Sequence, residues 1–194
     1  MFLCSIIKQA VETGGPRFTQ TTLKLGRASL SLLSGSGALQ GIVLGNPAGY
    51  QTAFAIKVAQ TELGVQPGSL LSDKIHITHL HVLGPEINFE GGLTENNLSQ
   101  ILDNVKSATG ASKEPAQSSG ATKKLLVDEF TVTGGKIYVT TALTGGQPLT
   151  VDLPDIRFTN LGQGADGLTA ADLAERLLSE LYQRALNAVQ KRMG

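Results

Sequence analysis

Three histidines, His76, His79 and His81, fall within six residues of one another and are all the histidines the chain has. Imidazoles this close together are the chemistry of a zinc or copper site. The chain's one cysteine, Cys4, lies far away in sequence, so no thiolate completes such a set. The surrounding pattern gives a second reading. Ile75, Ile77, Leu80 and Val82 form an apolar face, and a one-residue bulge at Thr78-His79 puts His76 and His81 on the face opposite. That face is normally solvated, so the histidines are expected to be a polar surface rather than metal ligands.

Other motifs promise less. Gly162-Gln163-Gly164-Ala165-Asp166-Gly167 matches GxGxxG between a strand pattern and a helix pattern. A dinucleotide site also requires a second parallel strand with an acidic end, and none follows in this sequence. Gly134-Gly135-Lys136 lacks the spacing of a phosphate loop, because that motif's first glycine would fall on Phe130. GxSxG, HExxH and CxxC do not occur. Asp152 and Asp155 sit near turns as solubilising groups. No nucleophile, base and metal constellation emerges, so the expectation is a protein that is not an enzyme and holds no cofactor.

Composition agrees. The chain has 194 residues with formal net charge zero, against the basic face that nucleic acid needs. It has 23 glycines and no tryptophan, which suits short strands and many turns. A single cysteine excludes an internal disulfide.

The histidine stretch is one of two similar copies. IHITHLHVLGPEINF (75–89) and LLVDEFTVTGGKIYV (125–139) share one pattern of apolar positions, a mid-strand extra residue and a glycine. Leu39, Ile42 and Leu44 make a partial third copy. The glycine, Gly84 or Gly134, is expected to turn the chain into a return strand, giving bulged hairpins. Gly26 and 34–37 read as further connections, and Phe54, Ile56 and Val58 as another strand. Pro67–Asp73 reads as one short helical turn.

Three helices frame these strands. Residues 1–13 read as an amphipathic helix stopped by Gly14-Gly15-Pro16, or as the end of a membrane anchor. It is too short and too charged, with Lys8, to span a membrane. A second helix covers 94–107, with Thr94 as N-cap and Leu98, Ile101, Leu102 and Val105 as its stripe. Residues 107–122 lack apolar periodicity and read as a flexible linker within one domain. The last helix, 169–192, opens on a Thr169/Asp172 capping box. Its stripe is Leu173, Leu177, Leu181, Ala185 and Val189, with Asp172/Arg176 and Glu180/Arg184 as i,i+4 pairs. The predicted fold is therefore α+β: residues 1–194 form one domain, a strongly twisted, mostly antiparallel sheet of eight to ten strands. One face is covered by the C-terminal and central helices.

Asn46-Pro47-Ala48-Gly49-Tyr50, the Ser69-Leu70-Leu71 turn leading into Ile75-His76-Ile77, Gly84-Pro85-Glu86-Ile87 and Asn96-Asn97-Leu98 together resemble the N-terminal region of AsmA-like proteins. The resemblance covers about residues 30–105. It implies a bacterial envelope protein on the periplasmic side of the inner membrane, related to lipid-transfer proteins, with no catalytic residues to carry over. The chain departs from the family in carrying no complete anchor, and its length is too short for a groove crossing a periplasm. The expected function is a non-catalytic structural or adaptor module that contacts membrane lipid or an envelope partner, or pairs with its own copies. A lipid carrier with an apolar interior between sheet and helices is the first alternative, and a metal-binding protein the second. Phe54, Leu177 and Leu181 are the expected lipid or partner contacts.

Overall fold

The computed structural model describes residues 2–111, 123–164 and 166–194. Among the described residues nine strands form one sheet and three α-helices lie against it. The strands are β1 (Leu23–Leu30), β2 (Ser36–Leu44), β3 (Ile56–Val65), β4 (Lys74–Leu83), β5 (Glu86–Glu90), β6 (Lys124–Thr133), β7 (Lys136–Thr140), β8 (Leu149–Asp152) and β9 (Ile156–Leu161). The helices are α1 (Phe2–Thr19), α2 (Asn97–Ala111) and α3 (Ala170–Met193). A short 3-10 turn at Pro67–Leu71 fulfils the helical turn expected before β4. The class is α+β, with a mixed sheet: β4–β6 and β5–β7 are parallel, and the other pairings are antiparallel.

The two parallel pairings correct the hairpin expectation. Gly84 and Gly134 do not turn the chain back. β4 runs on into β5 along one edge of β3, with Gln60 opposite Leu83 and Lys57 opposite Glu86 in one unbroken register. β6 runs on into β7, and the two copies of the repeat lie side by side, Ile75 on Leu125 and Phe89 on Val139. The spacing between the copies is thus the register of a parallel ladder, which needs a long crossover; α2 lies in that connection.

Why the glycines bend rather than reverse the chain becomes clear across the sheet. By register Gly26 faces Gly41, Gly41 faces Ala59, Ala59 faces Gly84, Gly84 faces Gly134 and Gly134 faces Pro154. Small residues and one proline thus form a transverse line through every long strand. Across it the inward residues are three apart instead of two: Leu39 and Ile42, Val58 and Thr61, Val82 and Pro85, Leu153 and Ile156. An extra residue in one strand alone would break the ladder. When all strands take it at one level, hydrogen bonding resumes in register on both sides and the sheet bends there. Gly41, Gly84 and Gly134 make the bend with positive φ of 67°, 56° and 66°. Gly26, expected as a connection, is part of this line within β1. The bulge expected at Thr78-His79 is present, as Gly64 pairs with His79 and Val65 with Ile77.

Two helix boundaries also differ from expectation. α1 continues through Gly14-Gly15-Pro16 to Thr19. A Cβ at Gly15 would stand 2.2 Å from Leu23 Cδ2, so glycine is what lets the helix lie against β1. The helix ends where Thr19 Oγ1 donates to Gly15 O and Gln20 takes a φ of 54°. Along its length Glu12 Oε1 accepts from the Leu25 N–H at 3.1 Å, which helps to cover the outer edge of β1. α2 begins at Asn97, and its cap is Asn96 rather than Thr94: Asn96 Oδ1 accepts from Ser99 N while Ser99 Oγ accepts from Asn96 N. α2 also extends to Ala111, so 107–111 is helix, its end tied to α3 by Thr109 Oγ1 donating to Glu175 Oε2 at 2.6 Å. The remainder of the expected linker, 112–122, lies outside the described residues. α3 has its predicted capping box and Glu180–Arg184 pair.

The tight core lies where β5 and β7 meet α2 and the C-terminal half of α3. Ile87, Phe89, Ile101, Val105, Ile137, Val139, Ala185 and Val189 are fully buried there. Each large side chain so buried contributes roughly 1.5–3 kcal/mol.

Candidate functional site

Among the described residues, the histidine stretch, a buried polar knot and an apolar cleft gather chemistry-bearing side chains or ligand-sized space. The histidines lie on the outer face of β4, each against a carboxylate or a neighbour. His76 Nε2 meets Asp128 Oδ2 at 2.7 Å and its Nδ1 meets Gln66 Oε1 at 2.8 Å. His81 Nε2 meets Glu129 Oε1 at 3.2 Å. His79 has its ring 5.1 Å from that of His81. Asp128 and Glu129 stand in the second copy where Thr78 and His79 stand in the first, so the parallel ladder brings the histidines of one copy to the carboxylates of the other. Arg157 binds Glu129 from β9 at 2.7 Å. That guanidinium first, and His81 second, hold the Glu129 carboxyl below its ordinary range. Among the described residues no three His, Cys, Asp or Glu side chains converge as a metal cage.

A buried polar knot joins the 46–52 loop to the start of α2. Asn97, fully buried, donates from Nδ2 to Asn46 Oδ1 at 2.8 Å and to Asn88 O at 2.7 Å, and its Oδ1 accepts from Glu90 N at 3.0 Å. Asn46 Nδ2 donates to Thr52 O. The Glu90 carboxylate accepts from Gln51 N, Thr52 N and Thr52 Oγ1. Burial pushes that carboxyl up, but these three bonds together outweigh it and hold it low. The Tyr50 phenol is raised by burial and by Glu95 and Glu90. The knot's side chains serve one another and neighbouring backbone, as in a structural clasp.

The third place is an apolar cleft of about 340 Å³ over the bend line. Its floor is the inward face of β2, β3, β4, β6 and β9: Leu39, Ile42, Val58, Leu80, Val82, Phe130 and Ile156 among others. Its walls are Phe18 and Thr19 at the end of α1, Val105 of α2, and Ala174, Leu177, Leu178 and Leu181 of α3. The α3 stripe explains the opening. Leu173, Ala185 and Val189 are buried, whereas Leu177, Leu178 and Leu181 between them are only half-buried because they face the cleft. Polar ties at the margins frame this space: Thr109 to Glu175 between α2 and α3, and Asn104 Nδ2 to Thr19 O between α2 and α1.

Among the described residues no charged side chain lines the cleft, and the volume falls in the roughly 300–1,000 Å³ range of small-molecule sites. Of the expected contact residues, Leu177 and Leu181 line it. Phe54 does not; it precedes β3, half-buried, with Lys57 Nζ 5.8 Å from its ring centre. Sequence reasoning missed Thr61, Phe18 and Leu39. Thr61 follows the phase change at Ala59, so its inward direction is legible only once that change is known. In the GxGxxG loop, Gly162 and Gly167 pack on β6: a Cβ at Gly162 would stand 2.4 Å from Leu125 O. Leu125 and Leu168 exchange backbone hydrogen bonds beside them. Those glycines therefore have a packing reason. None of the described helices is long and apolar enough to cross a membrane. Compared with known proteins, the chain matches no family model and no curated protein.

Proposed function

We propose that this protein is a non-catalytic lipid-binding module that holds an apolar ligand between its sheet and helices. The observation that carries the reading is the uncharged cleft roofed by half-buried leucines of α3. From sequence the structural or adaptor reading ranked above this one, because the helix stripes were expected to fill the space over the sheet. They leave a cleft there, which supports the lipid-binding reading. In this reading the sheet is strongly twisted and mostly antiparallel, a shape that curls an apolar floor beneath the helices. The resemblance to AsmA-like proteins fits the same function. It would add a site of action at the periplasmic side of a bacterial inner membrane, with membrane lipid or an envelope protein as partner.

The test is native mass spectrometry of the protein extracted from its own membrane, beside an Ala174→Trp variant that fills the cleft. Co-purified lipid at about one per chain, lost in the variant, is the expected result. A lipid-free protein in a defined oligomer, or bound to a stable protein partner, would overturn it in favour of the adaptor reading.

A further inference from the structure

Among the described residues, one polar group at the cleft has no hydrogen-bond partner in the fold. Thr61 is 2% exposed, and its Oγ1 is buried without a hydrogen-bond partner, alone in this among the described residues. It lies in the middle of the floor, opposite Leu39 on one side and Val82 on the other, both of which also line the cleft. Packing does not call for the hydroxyl, because valine has the same shape, suits a strand equally and leaves no orphan. Thr19, the other cleft threonine, differs: its Oγ1 donates to Gly15 O and accepts from Thr21 Oγ1. A buried hydroxyl without a partner is costly, and in native folds such a group calls for an explanation.

Resting on the lipid-binding reading, we propose that Thr61 is the polar anchor of the cleft, and that the ligand is a neutral lipid presenting one hydroxyl or carbonyl oxygen to it. The number and kind of donors decide the class. Threonine offers one O–H donor and two lone pairs, which suits an alcohol, or an ester or amide carbonyl. A carboxylate or phosphate has several acceptor sites and a full charge. In this cleft it would find a single side-chain donor without a partner of its own and no cation, so burial would drive it towards its neutral form or out of the cleft. The cleft should therefore discriminate against anionic lipid.

The experiment uses the full chain with a neutral fluorescent probe, N-phenyl-1-naphthylamine, displaced by dodecane, 1-dodecanol or dodecanoate at neutral pH. Wild type, Thr61→Val and Thr61→Ser are compared. Thr61→Val should weaken 1-dodecanol about tenfold and leave dodecane unchanged, since only the alcohol loses a hydrogen bond. Thr61→Ser should retain the alcohol's affinity, and dodecanoate should be the weakest competitor of wild type. The melting temperature of Thr61→Val should be no lower than that of wild type, which separates a lost anchor from a damaged fold. Equal effects of Thr61→Val on alcohol and alkane would overturn the anchor while leaving the cleft reading intact. Dodecanoate as the best competitor would overturn the neutral-lipid assignment. Failure of all three to displace a bound probe would remove the cleft reading and this inference with it.

Discussion

Removing the side chain of Asn97 tests whether the polar knot fastens the base of the fold. In Asn97→Ala four groups lose a partner at once: Asn46 Oδ1, Asn88 O, Glu90 N and Leu98 N. Asn97 is fully buried, so water does not readily replace them. Each buried group left unpaired costs about 1–3 kcal/mol. With local relaxation the expected loss is roughly 3–5 kcal/mol, a large part of the ~5–15 kcal/mol a domain has. For a chain of this length that lowers the melting temperature by roughly 6–20 °C. Urea unfolding of wild type, Asn97→Ala, Asn46→Ala and the double variant measures it. The two singles share the Asn46–Asn97 bond, so the double should fall short of their sum by about 1 kcal/mol. A loss below about 1 kcal/mol in Asn97→Ala, or full additivity, would refute the knot as a fastening.

The bend line and the acid limb of stability give two further predictions. Gly134→Ala should cost about 1–2 kcal/mol by urea unfolding, from the left-handed backbone at φ 66° alone, since the nearest atom to the new Cβ is 3.9 Å away; a neutral effect would show that the line relaxes freely. The Glu90 carboxyl is held below the ordinary glutamate value of about 4.5, so the stability it adds is fully present above about pH 4.5 and is lost as pH falls through the lower, folded value. Glu90→Gln should therefore flatten that part of the stability-against-pH curve, and an unchanged acid limb would count against the knot's electrostatics.

The local patterns of this chain determined much of it. The two apolar stripes, the Thr169 cap and the repeated bulged strand follow from spacings within one element, where the pleat or the helical turn alone decides which side chains share a face. The glycine inside each repeat was different. A left-handed glycine between two apolar runs serves a hairpin as well as a bend, and neighbours in sequence cannot tell them apart. The choice was made by the adjacent strands, each carrying its own extra residue at the same level, which keep the ladder in register only if the chain runs on. The same holds for the candidate site. Leu177 and Leu181 were legible because a helix stripe is local. Thr61 was not, because its direction depends on the phase change at Ala59. That the α3 stripe and the sheet stay apart rather than closing on each other was decided by tertiary contacts alone. The ties at Thr109–Glu175 and Asn104–Thr19, with α1 running past its glycines to Thr19, join elements distant in sequence, and those contacts frame the space above Thr61.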